Sequence, residues 1–481
     1  MKRLKKLISF ALALSVLFGL TAVSNVTASA EFTQSSYAFS QNMTIGYNIG
    51  NSFDSAFGSS ANECNWGNPK ITKELIQSVK NKGFDLIRIP ATWGYKIDSK
   101  GNFNDNRVFA NRVKEVVKWA YDTGAYVILN THHEMSWLNT FDAIKNKKGK
   151  IDNSKLNAML KKYGMLWKNI ASDYKSYGER LIFEGYNETR SSECTWTANS
   201  SDQKILNKIG QKFIDSVRST GGNNAKRYLL TNTFGADFSL NEINNYKIPK
   251  DPANHLLIGV HTYDPHILCF QFGENGNTSV FKQSVFNSYY NRIMPAIESK
   301  FLSKGYGVII GEFGAANKNN DSDRIKYAKA VVTVCAKYGV IPAWWDNGVI
   351  SKGGSNKQAF ALVSRKAPHK WVKNNIASAM VKLANKLVPS RPTRGQNLQT
   401  TSKTTSDKIT MKSKATKSFS RQISDTTTVK TGKAVVRNEY TKKTVKTKTR
   451  TIVTDYYTKG SKVKTRKTKT IVTKTTVYSS R

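Results

Sequence analysis

Short apolar runs recur along the chain between residues 43 and 348, and longer stretches with helical spacing separate them. The runs cover 43–51, 84–90, 126–133, 181–188, 228–233, 256–263, 306–314 and 341–346. Several are continuously apolar rather than alternating. Burial of a strand on both faces by helices produces that pattern. Helical periodicity fills most of the gaps, as at 72–82, 106–121, 156–174, 203–219 and 324–338. Eight β/α units in roughly 350 residues predict an α/β fold of the (β/α)₈ TIM-barrel type with enlarged loops. An open doubly wound sheet is the alternative. No Gly-rich phosphate loop follows the first run to support it.

The two ends of the chain read differently. Residues 1–6 are basic, and an apolar run follows from Leu7 to Leu20. That run is short for a membrane span, and Ala28-Ser-Ala30 offers a small-residue cleavage site. Residues 1–30 are therefore expected to be an export signal, and the mature protein to be extracellular with no membrane insertion. The catalytic region is expected over 31–389. A breaker cluster, Pro389-Ser-Arg-Pro-Thr-Arg-Gly395, ends a helix-like stretch at 366–387. Beyond it Thr, Lys, Ser and Val dominate. Residues 390–427 read as a disordered linker. Residues 428–481 read as a basic, low-complexity region, either two or three β-strands or a disordered tail.

Charge sharpens that division. The formal net charge is +42, and residues 391–481 hold 24 Lys/Arg against 4 Asp/Glu. Such a tail attracts polyanions but says nothing about fold. An anionic cell-wall or plant polymer is the expected partner of the tail. Nucleic acid is not expected, because no recognition motif accompanies the charge. The four cysteines, Cys64, Cys194, Cys269 and Cys335, are scattered without zinc-site spacing. Cys335 falls in a helical pattern and reads as a buried thiol. Neither a metal nor a cofactor is expected, and the chain is read as a monomer.

The candidate chemistry lies at the ends of the apolar runs. Glu188 ends the fourth, after Asn187, and Glu312 ends the seventh. A parallel barrel brings all such ends to one face. Two carboxyl groups there suggest the acid/base and nucleophile that cleave glycosidic bonds. Arg88 on the second run can keep a carboxylate ionised, and Tyr263 on the sixth can add a hydrogen bond. Asn187 can bind a sugar 2-hydroxyl. His132, His133 and His261 offer directional hydrogen bonds. Trp344 and Trp345 point to opposite sides of an extended chain, so one of them packs. Trp66, Trp93, Trp137 and Trp196 lie in loops after the first four runs, and Trp137 is the preferred sugar platform.

The ordered set Gly46–Asn51, Arg88-Ile-Pro90, His132-His133, Asn187-Glu188, His261-Thr-Tyr263, Gly311-Glu312-Phe-Gly314 and Trp345 resembles family 5 glycoside hydrolases of clan A. The likeness runs over about residues 36–380, closest to bacterial endoglucanases and xyloglucanases of that family. It implies that Glu188 is the acid/base and Glu312 the nucleophile of a secreted, retaining endo-β-1,4-glucanase. It makes Arg88, His132, Asn187, His261, Tyr263 and Trp345 the supporting residues. Asn51, Asp54 and His133 match positions that bind sugar on the non-reducing side. Thr189 departs from the pattern, since the family usually has Pro there, and the loop is expected to be looser. Xyloglucanases, lichenases and mannanases share the same set. A non-catalytic wall-binding relic is the rival of another class; it would have little reason to retain both glutamates.

Overall fold

The computed structural model describes residues 32–55, 62–134, 136–192, 195–270, 278–350, 358–392, 395–438 and 441–480. The expected export signal and Cys194 lie outside them. Eight parallel strands close into a barrel in chain order: β1 (Gly46–Asn48), β2 (Leu86–Ile89), β3 (Tyr126–Asn130), β4 (Leu181–Glu184), β5 (Leu229–Asp237), β6 (Leu256–Thr262), β7 (Val308–Phe313) and β8 (Ile341–Trp344). The seam forms where β1 pairs with β8 and Gly46 faces Ala343. A methyl group on Gly46 would stand 2.6 Å from the Ala343 Cβ, so glycine is what lets the ring close.

Helices wrap the barrel and bury one stripe each. The helix Lys73–Lys82 starts where the Thr72 hydroxyl accepts the Leu75 N–H, and it buries Leu75, Ile76 and Val79. Each such side chain contributes about 1.5–3 kcal/mol by leaving water. The helix Ser200–Arg218 opens on a reciprocal capping box between Asn199 and Asp202. Cys335 is buried in the helix Asp321–Tyr338, and Cys64, Cys269 and Cys335 are free thiols. The helix expected over 366–387 begins only at Asn374. Pro368 lies in the part that is not helical, where its ring and missing N–H disfavour a helix interior. Where the chain leaves the barrel, Arg391 donates to the carbonyls of Met43 and Thr44 at 2.6 and 2.8 Å, and the Pro392 carbonyl accepts from the Tyr37 hydroxyl.

The stretch expected to be a linker carries strands instead. β9 (Gly395–Thr410) and β10 (Phe419–Thr431) occupy most of 390–427. With β11 (Val435–Asn438), β12 (Thr441–Tyr457) and β13 (Val463–Ser480) they form an antiparallel sheet in the order β10-β12-β13-β9, with β11 also on β12. The physical reason is backbone pairing. Thr and Val favour the extended chain, and the ladder hydrogen bonds need no thick apolar core. Along β12 exposure alternates, with Lys446, Lys448 and Arg450 exposed and their neighbours Thr447 and Thr449 half-buried. On the other face a buried Asp455 accepts from Lys464 at 2.6 Å and from Arg466 at 2.7 and 2.9 Å.

No described helix is long and apolar enough to cross a membrane.

Candidate active site

The site is built where the barrel strands end. Arg88 points inward from β2 and is fully buried. Its Nη1 donates to Glu312 Oε1 at 2.7 Å and to Asn48 Oδ1 at 2.9 Å. Its Nη2 donates to Asn187 Oδ1 at 2.7 Å. The rest of the fork grips Glu184, with Nε on Oε2 at 2.7 Å and Nη2 on Oε1 at 2.9 Å. Glu312 sits on β7, where the pairing register with β6 shifts between Val260 and His261. Such an irregularity re-aims side chains beside a site. Gly311 makes room there, since a Cβ on it would lie 2.9 Å from His261 Nε2.

The second oxygen of Glu312 accepts from the Tyr263 hydroxyl at 2.8 Å. Burial and the neighbouring Glu312 push that phenol far above its ordinary range, so it remains a donor. His261 Nδ1 lies 3.0 Å from Glu188 Oε1 and 3.7 Å from Glu312 Oε1. One carboxylate oxygen of Glu188, one of Glu312 and a ring nitrogen of His261 all fall within 4.8 Å of one another. Burial holds His132 well below the usual histidine range, and it lowers His133 to about 4. Both rings are therefore neutral at neutral pH. Asn130 Nδ2 meets His132 Nδ1 at 3.0 Å, and the ring lies parallel to Trp345 at 5.9 Å.

A cavity of about 550 Å³ opens over this cluster. His132, His133, Asn187, Glu188, His261, Tyr263, Glu312 and Trp345 line it, and Arg88 lies beneath. Trp344 is the packing partner of the tryptophan pair, fully buried with its indole N–H on the Phe360 carbonyl. Thr189 does not leave its loop slack: it is buried, and its carbonyl accepts the Gly235 N–H at 3.0 Å.

Three residues predicted to contact sugar do not line this cavity. Trp137 does not line the cavity. Its indole N–H is held by the buried Glu134 at 2.7 Å, and Lys162 covers its ring at 4.7 Å. Trp196, half-exposed under Arg190 at 3.9 Å, is the loop tryptophan that does line it. Asp54 is fully buried, and its carboxylate accepts the backbone N–H groups of Asn51 and Ser52 at 2.9 and 2.7 Å. It shapes the loop after β1, and neither it nor Asn51 lines the cavity. Burial raises Asp54 to about 6. A ligand-type atom of Asp54 lies within 4.8 Å of His132 and His133, but both its oxygens are already committed to that loop.

Glu184 and Asn232 belong to this network too, though neither stands at the end of an apolar run. Glu184 is fully buried and accepts from Asn232 Nδ2 at 2.8 Å as well as from Arg88. The available signal was a carboxylate inside the apolar run Leu181-Ile-Phe-Glu184, which demands a buried partner.

Comparison with known proteins agrees with this geometry. Residues 48–351 match the family described as Cellulase (glycosyl hydrolase family 5). Endoglucanase A of Ruminococcus albus is 37% identical over 349 residues, which is 71% of this chain and 91% of that protein. Among solved structures, a broad-specificity endoglucanase from Clostridium longisporum superposes with a TM-score of 0.66 at 31% identity, over 74% of this chain and 99% of that one. A family 5 lichenase mutant from Caldicellulosiruptor sp. F32, in complex with cellotetraose, gives a TM-score of 0.65 at 33% identity, over 73% of this chain and 96% of that one. The buried Arg88–Glu312 pair, the glutamate facing it and the closed barrel around them are thus those of a glycoside hydrolase, and the chain belongs to glycosyl hydrolase family 5, the cellulase family.

Proposed function

We propose that this chain is a retaining endo-β-1,4-glucanase with Glu312 as nucleophile and Glu188 as acid/base. The observation that carries the reading is the approach of one oxygen of Glu188 to one of Glu312 within 4.8 Å. Retaining enzymes hold their two carboxyl groups about 5–5.5 Å apart, whereas inverting enzymes leave about 6.5–9.5 Å for a water. Glu312 attacks the anomeric carbon as Glu188 protonates the departing glycosidic oxygen. The C–O bond breaks and a glycosyl ester forms on Glu312. Glu188, now ionised, takes a proton from water, which attacks the same carbon and breaks its ester bond to Glu312. This leaves a β-configured end, with Glu312 again a carboxylate and Glu188 again protonated.

The surrounding residues support these two steps. Arg88 and Tyr263 each hold one oxygen of Glu312, which fixes the plane of attack. Arg88 also occupies Asn187 Oδ1, so the amide Nδ2 is the end left to donate to the sugar 2-hydroxyl. His132 and His133 meet sugar hydroxyls as neutral rings, and Trp345 supplies an apolar face. β-Glucan is the substrate class of the endoglucanase and lichenase relatives. Initial rates on carboxymethylcellulose, xyloglucan, mixed-linkage glucan and mannan test the reading. Fastest turnover on mannan would replace the glucanase with a mannanase.

We also infer that the protein is exported, on the strength of the basic start and the short apolar run at residues 1–30. Its C-terminal sheet fits an anionic polymer better than a neutral glucan. Lys446, Lys448 and Arg450 of β12 share one face with Lys467 and Lys469 of β13, and all five are exposed.

A further inference from the structure

Arg88 is shared. One edge of its guanidinium is committed to Glu184 by two hydrogen bonds, and Nη1 reaches Glu312. Both Arg88 and Glu184 have no exposed surface. Glu184 does not line the cavity, so it cannot touch a sugar. Its own orientation is fixed by Asn232 Nδ2 at 2.8 Å. A carboxylate this deep, next to the support of the nucleophile, has two possible roles. It can aim the guanidinium, and it can set how much positive charge the reacting carboxylates feel.

We propose that Glu184 is a positioning and charge-balancing residue for the reaction. By neutralising Arg88 from behind, it keeps the guanidinium from binding Glu312 as a bare cation. A bare cation would hold the nucleophile too firmly in its ionised ground state and weaken its attack. It would also draw the proton off Glu188, which must keep it for the first step. Glu184 therefore shifts both limbs of the pH–rate bell, against a background set by the other groups that face the pair: His261 on β6 and Tyr263 just after it, His133 and Asp54 near Glu312, and Asp237 of β5 near Glu188. The buried surroundings of Arg88 and Glu184 screen little of this charge, so the effect on the reacting carboxylates is large. The inference rests on reading Glu312 as nucleophile and Glu188 as acid/base.

The test is the pH dependence of kcat/KM for Glu184→Gln and Glu184→Asp, each first checked for folding by near-UV circular dichroism. In Glu184→Gln both limbs move down by about one pH unit, since the uncompensated Arg88 favours ionised carboxylates. In Glu184→Asp the shorter carboxylate draws back from Arg88, and the limbs move the same way by less. If the Gln variant does not fold, the Asp variant decides alone. Lost activity with the bell in its original place would reduce Glu184 to a structural ion pair. Limbs that move up would mean that Arg88 had left Glu312, and would also overturn the proposal. Activity retained by Glu312→Gln would instead sink the assignment of the nucleophile, so the two failures are distinct.

Discussion

The Arg88 guanidinium donates to Glu312 at 2.7 Å from a site with no exposed surface. In water such a pair would be worth little; buried, it governs the chemistry at the carboxylate. Arg88→Ala is expected to cut kcat by about 10²–10³-fold and to move the acid limb of the pH–rate curve upward. Tyr263→Phe removes one neutral donor to the same carboxylate. It should cost about 10–100-fold and move that limb less. Equal shifts in the two variants would contradict the distinct roles of charge and neutral donor.

Most of this site was legible because a barrel gathers its strand ends. Arg88, Glu188, His261 and Glu312 needed only their places at the ends of apolar runs. Glu184 was not legible from position alone, since it lies within a run and its partner Arg88 stands two strands earlier, on β2. Trp137 misled for a related reason. An aromatic behind a histidine pair looks available to sugar, and nothing in the local sequence says that Glu134 takes its N–H. Over 390–427 the low apolar content points to a linker, whereas the structure has strands β9 and β10 there. Thr-rich strands satisfy their backbones by pairing, and that is invisible to hydrophobic pattern.

Glu188→Ala should be nearly inactive on polysaccharide, because the glycosidic oxygen must be protonated as it leaves. On an aryl glycoside with a strongly acidic phenol that requirement disappears. Substantial release of phenol by the variant, against loss of about 10³-fold or more on carboxymethylcellulose, is the expected split. Equal losses on both substrates would argue that Glu188 is not the acid.

Stability carries a pH signature from Glu134. Burial raises its carboxyl from 4.5 to about 7 in the folded protein. A raised carboxyl pKa favours the folded state fully below the unfolded value, and that contribution is lost as pH rises through the folded one. Wild type should therefore lose about 3 kcal/mol from this group between pH 4.5 and 7.5. In Glu134→Gln that loss is absent, so the variant gains on wild type by about that amount as pH rises from 4.5 to 7.5. Parallel curves would contradict it. His133 acts in the opposite sense. Lowered to about 4, it contributes stability above pH 6.5 that is lost as pH falls through 4.

Removal of the C-terminal sheet tests its partner. A chain ending at Pro392 should keep its rate on soluble glucan, because Arg391 is retained. It should lose retention on anionic wall material, and retention of the full chain should fall steeply between 50 and 500 mM salt, since exposed charges are screened within about 8 Å at about 0.15 M. Salt-resistant binding of the full chain to crystalline cellulose would replace the electrostatic reading with a cellulose-binding one.

The most direct measurement traps the intermediate. A 2-deoxy-2-fluoro-β-cellobioside with a good leaving group should glycosylate the enzyme faster than the ester hydrolyses. Mass spectrometry of the digested protein is expected to find one glycosyl adduct, on the peptide carrying Glu312 and on that residue. An adduct on Glu188, or no adduct together with α-configured products from the natural substrate, would contradict the retaining mechanism assigned to this pair.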